Sequence, residues 1–218
     1  MVSLAKKVLE NKIKSRDKPL THFISLSIKS LNHELDRLYQ SIPEHFYTCN
    51  VVKPKEKLHL TVSVLSLSSA NDGENDNGNA INKVIEIMQD HLINISPFTI
   101  ELSGVSVLKG TPKECKVLVS NIQNTTELDR IFRPILHDLV SAGLATSLST
   151  LWHCTLFNTR DTKIKSFDAT SILSQFKDTN FGQCTFGKVH LSRFSSSTDP
   201  SGYYESHHTV SLNHSLLP

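Results

Sequence analysis

Two segments 94 residues apart share one pattern: Leu58-His59-Leu60-Thr61-Val62 and Trp152-His153-Cys154-Thr155-Leu156. In each, a His and a Thr alternate with apolar residues at period two, the signature of a strand with one buried face. Two such strands, remote along the chain, constrain the fold more than any other feature. They point to two similar lobes that each contribute one strand to a shared cleft. The constraint lies in the whole pattern: four His-x-Ser/Thr triplets occur, at His59, His153, His190 and His207, but only the first two have an apolar residue both inside the triplet and after it.

The remaining periodicities fill in the lobes. Strands are predicted over residues 20–28, 57–67, 97–109, 115–122, 151–158, 184–194 and 203–212. A helix is predicted from Ser30 to Ile42, where Pro43 stops it, and another around Ile81, Val84, Ile85, Met88 and Leu92. A third runs from Thr125 or Thr126 to Gly143 with a kink expected at Pro134, and a short one lies near 168–177. Ser68 to Asn79 is dense in Ser, Asn, Asp and Gly and reads as a mobile loop. Interspersed helices and expected hairpins argue for an α+β fold with largely antiparallel sheets. Residues 1–18 read as an N-terminal helix or tail, and 19–218 as one domain of two pseudo-symmetric lobes.

Composition limits what such a cleft can hold. Lys and Arg number 23 against 21 Asp and Glu, a formal charge of +2, which is too even for a partner held by bulk electrostatics and favours a short ligand over long duplex nucleic acid. The start of the chain is interrupted by charge before it reaches secretory-signal length, and no apolar run is long enough to cross a membrane. An intracellular protein, cytoplasmic or nuclear and without a membrane partner, is expected. Cys49, Cys115, Cys154 and Cys184 form no Cys-x-x-Cys pair, so neither a zinc site nor a disulfide framework is indicated and free thiols are the default.

In a strand, residues i and i+2 share a face, so His59 lies with Thr61 and His153 with Thr155. Paired imidazoles suit phosphodiester chemistry: one takes a proton from the attacking oxygen and the other gives one to the leaving oxygen, each step contributing about 10²–10⁴-fold in rate. The Thr hydroxyls donate to the non-bridging oxygens where charge builds. Neither a metal nor a cofactor is required. Phe23, Phe157 and Tyr203 are candidate platforms for a base; by alternation Phe157 shares a face with His153 and Thr155, while Tyr203 and Tyr204 open the last strand.

The paired tetrads follow an opening Phe23-Ile24-Ser25-Leu26 strand and are accompanied by Phe98-Thr99-Ile100-Glu101-Leu102-Ser103-Gly104-Val105 and Gly202-Tyr203-Tyr204. Together they resemble the two-histidine (2H) phosphoesterase superfamily across residues 20–212. Within it they look most like the branch of the A-kinase anchoring protein 7-like domain and the activating signal cointegrator complex subunit. The resemblance implies a LigT-like bilobal architecture, two mainly antiparallel sheets flanked by helices around a central cleft. It also implies metal-independent cleavage of RNA-type phosphodiesters or cyclic phosphates (2′,3′-cyclic or 2′,5′-linked), with a nucleotide or short RNA as ligand. His59 and His153 take the acid and base roles, in an order the sequence leaves open, and Thr61 and Thr155 hold the phosphate. The alternative is a nucleotide- or RNA-binding module that uses the same cleft without turnover. Val2-Ser3-Leu4-Ala5-Lys6-Lys7 resembles an anchoring helix, but in that branch the helix follows the domain, which disfavours a protein partner at the N terminus.

Overall fold

The computed structural model describes residues 20–29, 31–67, 74–145, 151–194 and 197–213. The expected N-terminal helix or tail and residues 68–73 of the expected loop lie outside the described residues. Eight strands are formed: β1 His22–Ser27, β2 His59–Leu65, β3 Phe98–Gly110, β4 Cys115–Gln123, β5 His153–Asn158, β6 Asn180–Phe186, β7 Lys188–Arg193 and β8 Ser206–Ser211. The helices are α1 His33–Gln40, α2 Glu44–Thr48, α3 Glu74–Leu92, α4 Thr126–Ser141 and α5 Thr170–Phe176. The strands pair antiparallel in the order β6-β3-β4-β5-β2-β1-β7-β8.

The two expected sheets are the two halves of this one. They join at a single pair, Leu60 of β2 opposite Cys154 of β5. The half β2-β1-β7-β8 is built from both ends of the described chain and the half β5-β4-β3-β6 from its middle. The halves of the sheet are therefore not the halves of the sequence. Leu60 and Cys154 are themselves 94 residues apart, so the junction lies on the approximate two-fold axis relating the two strands.

Three expectations change. The strand predicted over 184–194 is two strands meeting at Gly187: Phe186 pairs with Phe98 on β3, and Lys188 pairs with Ser211 on β8. Strands one residue apart thus belong to opposite ends of the sheet, which requires it to curl until those ends meet. The apolar alternation slips by one residue there, from Cys184 and Phe186 to Val189 and Leu191, and that slip at Gly187 is the only local mark of the junction. Residues 74–79 are helical, not loop, because α3 begins at Glu74. Its apolar stripe starts later, where Val84, Ile87, Met88 and Leu92 reach the core. The short helix α2 was unanticipated; it carries no fully buried residue and hence no stripe to read.

One face of the sheet is sealed by helices. Ile24, Leu26, Leu60, Val62, Cys154 and Leu156 cluster with Val84 and Met88 of α3 and with Leu128, Phe132 and Ile135 of α4. Full burial of each such large aliphatic or aromatic side chain contributes about 1.5–3 kcal/mol, so this face sets the register and the other is released for function. Gly104, in the stretch noted above, has φ +70°, and a Cβ there would lie 2.1 Å from the Lys177 carbonyl oxygen, so glycine is required where the α5 end packs on β3. No helix among the described residues is long and apolar enough to cross a membrane.

Candidate active site

With Leu60 and Cys154 paired and buried, their neighbours face the other side of the sheet. Antiparallel register sets His59 across from Thr155 and Thr61 across from His153. The four side chains form a parallelogram on one face with the imidazoles on a diagonal, where such separations are roughly 7–8 Å. That spacing admits a phosphate between the rings.

Each ring is held the same way. His59 Nδ1 lies 2.8 Å from the Lys57 carbonyl oxygen, and His153 Nδ1 lies 2.5 Å from that of Leu151. A carbonyl only accepts, so Nδ1–H is the donor in both and Nε2 is the ring nitrogen that the backbone leaves unengaged. Immediately after each Thr the ladder bulges. Ser25 opposes Thr61 while Ile24 opposes Ser63, and Val119 opposes Thr155 while Leu118 opposes Phe157. Val62 and Leu156 are the extra residues, again at equivalent positions. Neither Thr hydroxyl has a hydrogen-bond partner among the described residues, which leaves both available to a ligand. Trp152 anchors the start of β5 through its indole N–H, which donates to Asp129 Oδ1 at 3.0 Å.

The surroundings of the two rings differ. Around His59 lie Phe23 at 5.4 Å, Tyr204 at 5.5 Å and Tyr203 at 6.4 Å between ring centroids. Burial among them pushes the imidazole down to about 4; the Lys57 carbonyl opposes this, and the charges of Lys53 and His153 add to it. His59 is therefore neutral at pH 7. His153 is paired across the ladder with Asn121, whose Oδ1 accepts from Ser106 Oγ at 2.6 Å. Between His153 and Thr155, burial pushes the Cys154 thiol up to about 12, so no thiolate competes at the site.

The structure brings His59, Thr61, His153 and Thr155 together and treats the three expected platforms differently. Phe23, 1 % exposed, backs His59 from within the sheet and is covered by Phe194 at 4.8 Å, so it is a wall and not an open platform. Phe157 is in the core against Phe167; the bulge at Leu156 adds one residue to the alternation and turns Phe157 to the face opposite Thr155. Tyr203 is 2 % exposed and its hydroxyl shares a hydrogen bond with Ser25 Oγ at 2.8 Å, so no ligand can stack on it. Nor do Tyr203 and Tyr204 open a strand. They follow a turn in which Asp199 Oδ1 accepts from the Ser201 and Tyr203 amides and Gly202 takes φ +82°.

Three further neighbours surround the site: Tyr204, which the sequence does not distinguish from Tyr203, Lys57, which opens the first candidate stretch, and Lys53, which the sequence does not single out. Tyr204 stands edge-on to His59, and Lys57 Nζ lies 5.3 Å from the centre of its ring. Lys57 shares the alternation of His59 and was legible in principle. Lys53 reaches the site only through the pairing of its segment with β5, for which the sequence carries no local signal.

No curated protein matches the chain. Solved structures share its fold. The crystal structure of E. coli LigT complexed with 3′-AMP has a TM-score of 0.59 at 15 % identity, covering 89 % of this chain and 99 % of that one. The apo form of E. coli LigT gives 0.58 at 14 % identity over 90 % and 99 %. TT0787 of Thermus thermophilus gives 0.53 at 15 % identity over 88 % and 98 %. A family model described as the AKAP7 2′5′ RNA ligase-like domain matches residues 20–212, nearly the whole described chain. With the paired His-x-Thr strands meeting on one face of a LigT-like sheet, the chain belongs to the AKAP7 2′5′ RNA ligase-like domain family of the 2H phosphoesterase superfamily.

Proposed function

We propose that the protein is a metal-independent phosphodiesterase that cleaves 2′,3′-cyclic phosphates or 2′,5′-linked nucleotides by paired-histidine acid–base catalysis. The observation that carries this reading is the Leu60–Cys154 pair, which sets two imidazoles and two hydroxyls on one face with both Nε2 atoms unencumbered. His59, neutral and enclosed by aromatic rings, takes the proton of the attacking water or ribose hydroxyl at Nε2. The other transfer falls to His153, which gives its Nε2 proton to the leaving ribose oxygen. Thr61 and Thr155 donate to the non-bridging oxygens, worth about 10²–10³-fold for each donor of this kind. As the phosphate anion enters it favours the charged form of a neighbouring imidazole, strengthening His59 as a base when substrate is bound. The two imidazoles complete the proton inventory. That E. coli LigT was crystallised with 3′-AMP supports a nucleotide ligand in a fold of this kind.

The test is cleavage of a 2′,3′-cyclic nucleotide and a 2′,5′-linked oligoadenylate in excess chelator. Turnover that is lost in His59→Ala and in His153→Ala is the expected result; full activity in either variant rejects the mechanism. Nucleotide binding with no cleavage across a wide substrate panel would instead make the cleft a recognition module.

A further inference from the structure

The two ends of the parallelogram differ in charge. At the end where His59 faces Thr155, two ammonium groups converge. The segment 51–53 runs antiparallel along the far part of β5: Lys53 N donates to Leu156 O at 2.8 Å, Asn158 N donates to Val51 O at 2.9 Å, and Val52 opposes Phe157. Val52 and Phe157 are both buried in the core, so Lys53 projects to the opposite face, the one that carries Thr155. The Tyr39 hydroxyl donates to the Lys53 carbonyl at 2.8 Å and pins the segment from outside. Lys57 approaches from the His59 side, with its Nζ over the ring of Tyr204.

Lys55, between these two, is committed to an ion pair with Asp36. Lys53 and Lys57 have no carboxylate at ion-pair distance among the described residues. The one carboxylate acting on Lys53 is that of Asp161, which itself lies 3.7 Å from Arg160. Burial and the nearby Lys57 charge hold the Lys53 ammonium below its usual range, as expected for like charges awaiting a counter-charge. The scissile phosphodiester carries one negative charge and is already met by the imidazoles and threonines.

We infer that Lys53 and Lys57 form a second anionic subsite at the His59–Thr155 end, which receives a phosphate adjoining the scissile one. The identity of the first phosphate rests on the proposed function. The ligand class is a nucleotide with two phosphates, the second being either a terminal monoester or the next diester of an oligonucleotide. A 2′,3′-cyclic mononucleotide lacks it and leaves the subsite unused.

Calorimetric titration of the full chain tests this without turnover, using adenosine 2′-monophosphate, adenosine 2′,5′-bisphosphate and adenylyl-(2′→5′)-adenosine 2′-phosphate made non-cleavable by a methylene group in place of the bridging 5′ oxygen. At least one ligand with two phosphates binds about tenfold or more tightly than the monophosphate, since charge-assisted contacts are the strong ones. The tighter of the two identifies the source as monoester or diester. The preference disappears in the Lys53→Gln/Lys57→Gln double variant and is retained in Lys53→Arg/Lys57→Arg, which keeps the charge and controls for folding. Equal affinity for all three ligands, a preference that survives the Gln variant, or no binding of any of them overturns the inference. Cleavage assays run alongside report on the phosphodiesterase reading alone: a phosphate preference without turnover sinks that reading and leaves the subsite standing.

Discussion

His59 and His153 occupy equivalent places on one backbone frame and meet unlike surroundings. On both strands Nδ1–H is tied to the carbonyl two residues earlier, a Thr follows two residues later, and a bulge follows the Thr. Around that frame, the His59 side has Phe23, Tyr203, Tyr204 and two lysines, and the His153 side has Asn121 and Ser106. A symmetric frame thus aims two like groups at one point, and asymmetric packing gives them different surroundings, with burial lowering the proton affinity of His59. Acid–base catalysis requires both: aligned donors and acceptors, and partners that are not interchangeable.

The largest effect that probes this contrast is loss of either imidazole, expected to lower kcat by about 10²–10⁴-fold. A substrate with a nitrophenolate leaving group separates the roles, because it departs without a proton. His153→Ala should recover most of its rate on that substrate while His59→Ala stays slow; the opposite pattern would exchange the assignments. Next come Thr61→Val and Thr155→Val, each expected to reduce kcat by about 10²-fold with little change in KM, as for donors that act on developing charge. Because the frame is two-fold, the two losses should match within a few-fold. A large imbalance would show that the phosphate sits off the axis.

A third contrast concerns acid. Burial holds His22, His59 and His190 down to about 4 against 6.5 for a free imidazole, and the charges of His207 and Arg193 add to the effect at His22. Their folded values are lowered, so between 6.5 and about 4 the unfolded chain binds protons that the native one refuses. Stability from these groups is whole above pH 6.5 and is lost as pH falls toward 4. All three lie on β1, β2 and β7, in the half of the sheet built from the chain ends. The urea midpoint should therefore drop from pH 7 to pH 5, and hydrogen exchange at pH 5 should open β1 and β7 before β3 and β4. A midpoint unchanged over that range would contradict the burial argument.

The smallest effect is Tyr203→Phe, which removes the hydroxyl bonded to Ser25 and is expected to cost about 1 kcal/mol in a denaturant melt. It should alter turnover only a few-fold, through slackened support of Tyr204 against His59.

Much of the candidate site was legible in the sequence. His59, Thr61, His153 and Thr155 stand out because period-two alternation records which face each residue takes, and the repeated apolar partners record which face is buried. The same alternation misplaced Phe157, since a bulge leaves no mark in the residue types beside it. Reading 184–194 as one strand also joined β6 to β7 across Gly187, passing over the one-residue slip from Phe186 to Val189 where the chain leaves one part of the sheet for another. Tyr203 could not be told from Tyr204 by adjacency; a hydrogen bond to Ser25, which lies on a strand far earlier in the chain, decided which ring is buried.

What the amino-acid order determined alone was local: the strands, their buried faces and the matched polar pairs, all set by backbone geometry and the cost of burying polar groups. Tertiary structure decided the rest. Only the pairing of Leu60 with Cys154 brought the two polar pairs to a common point, and only packing enclosed His59 among aromatic rings and lowered its proton affinity. Neighbours from distant segments set both register across the axis and local dielectric, so neither is written in any single stretch of chain.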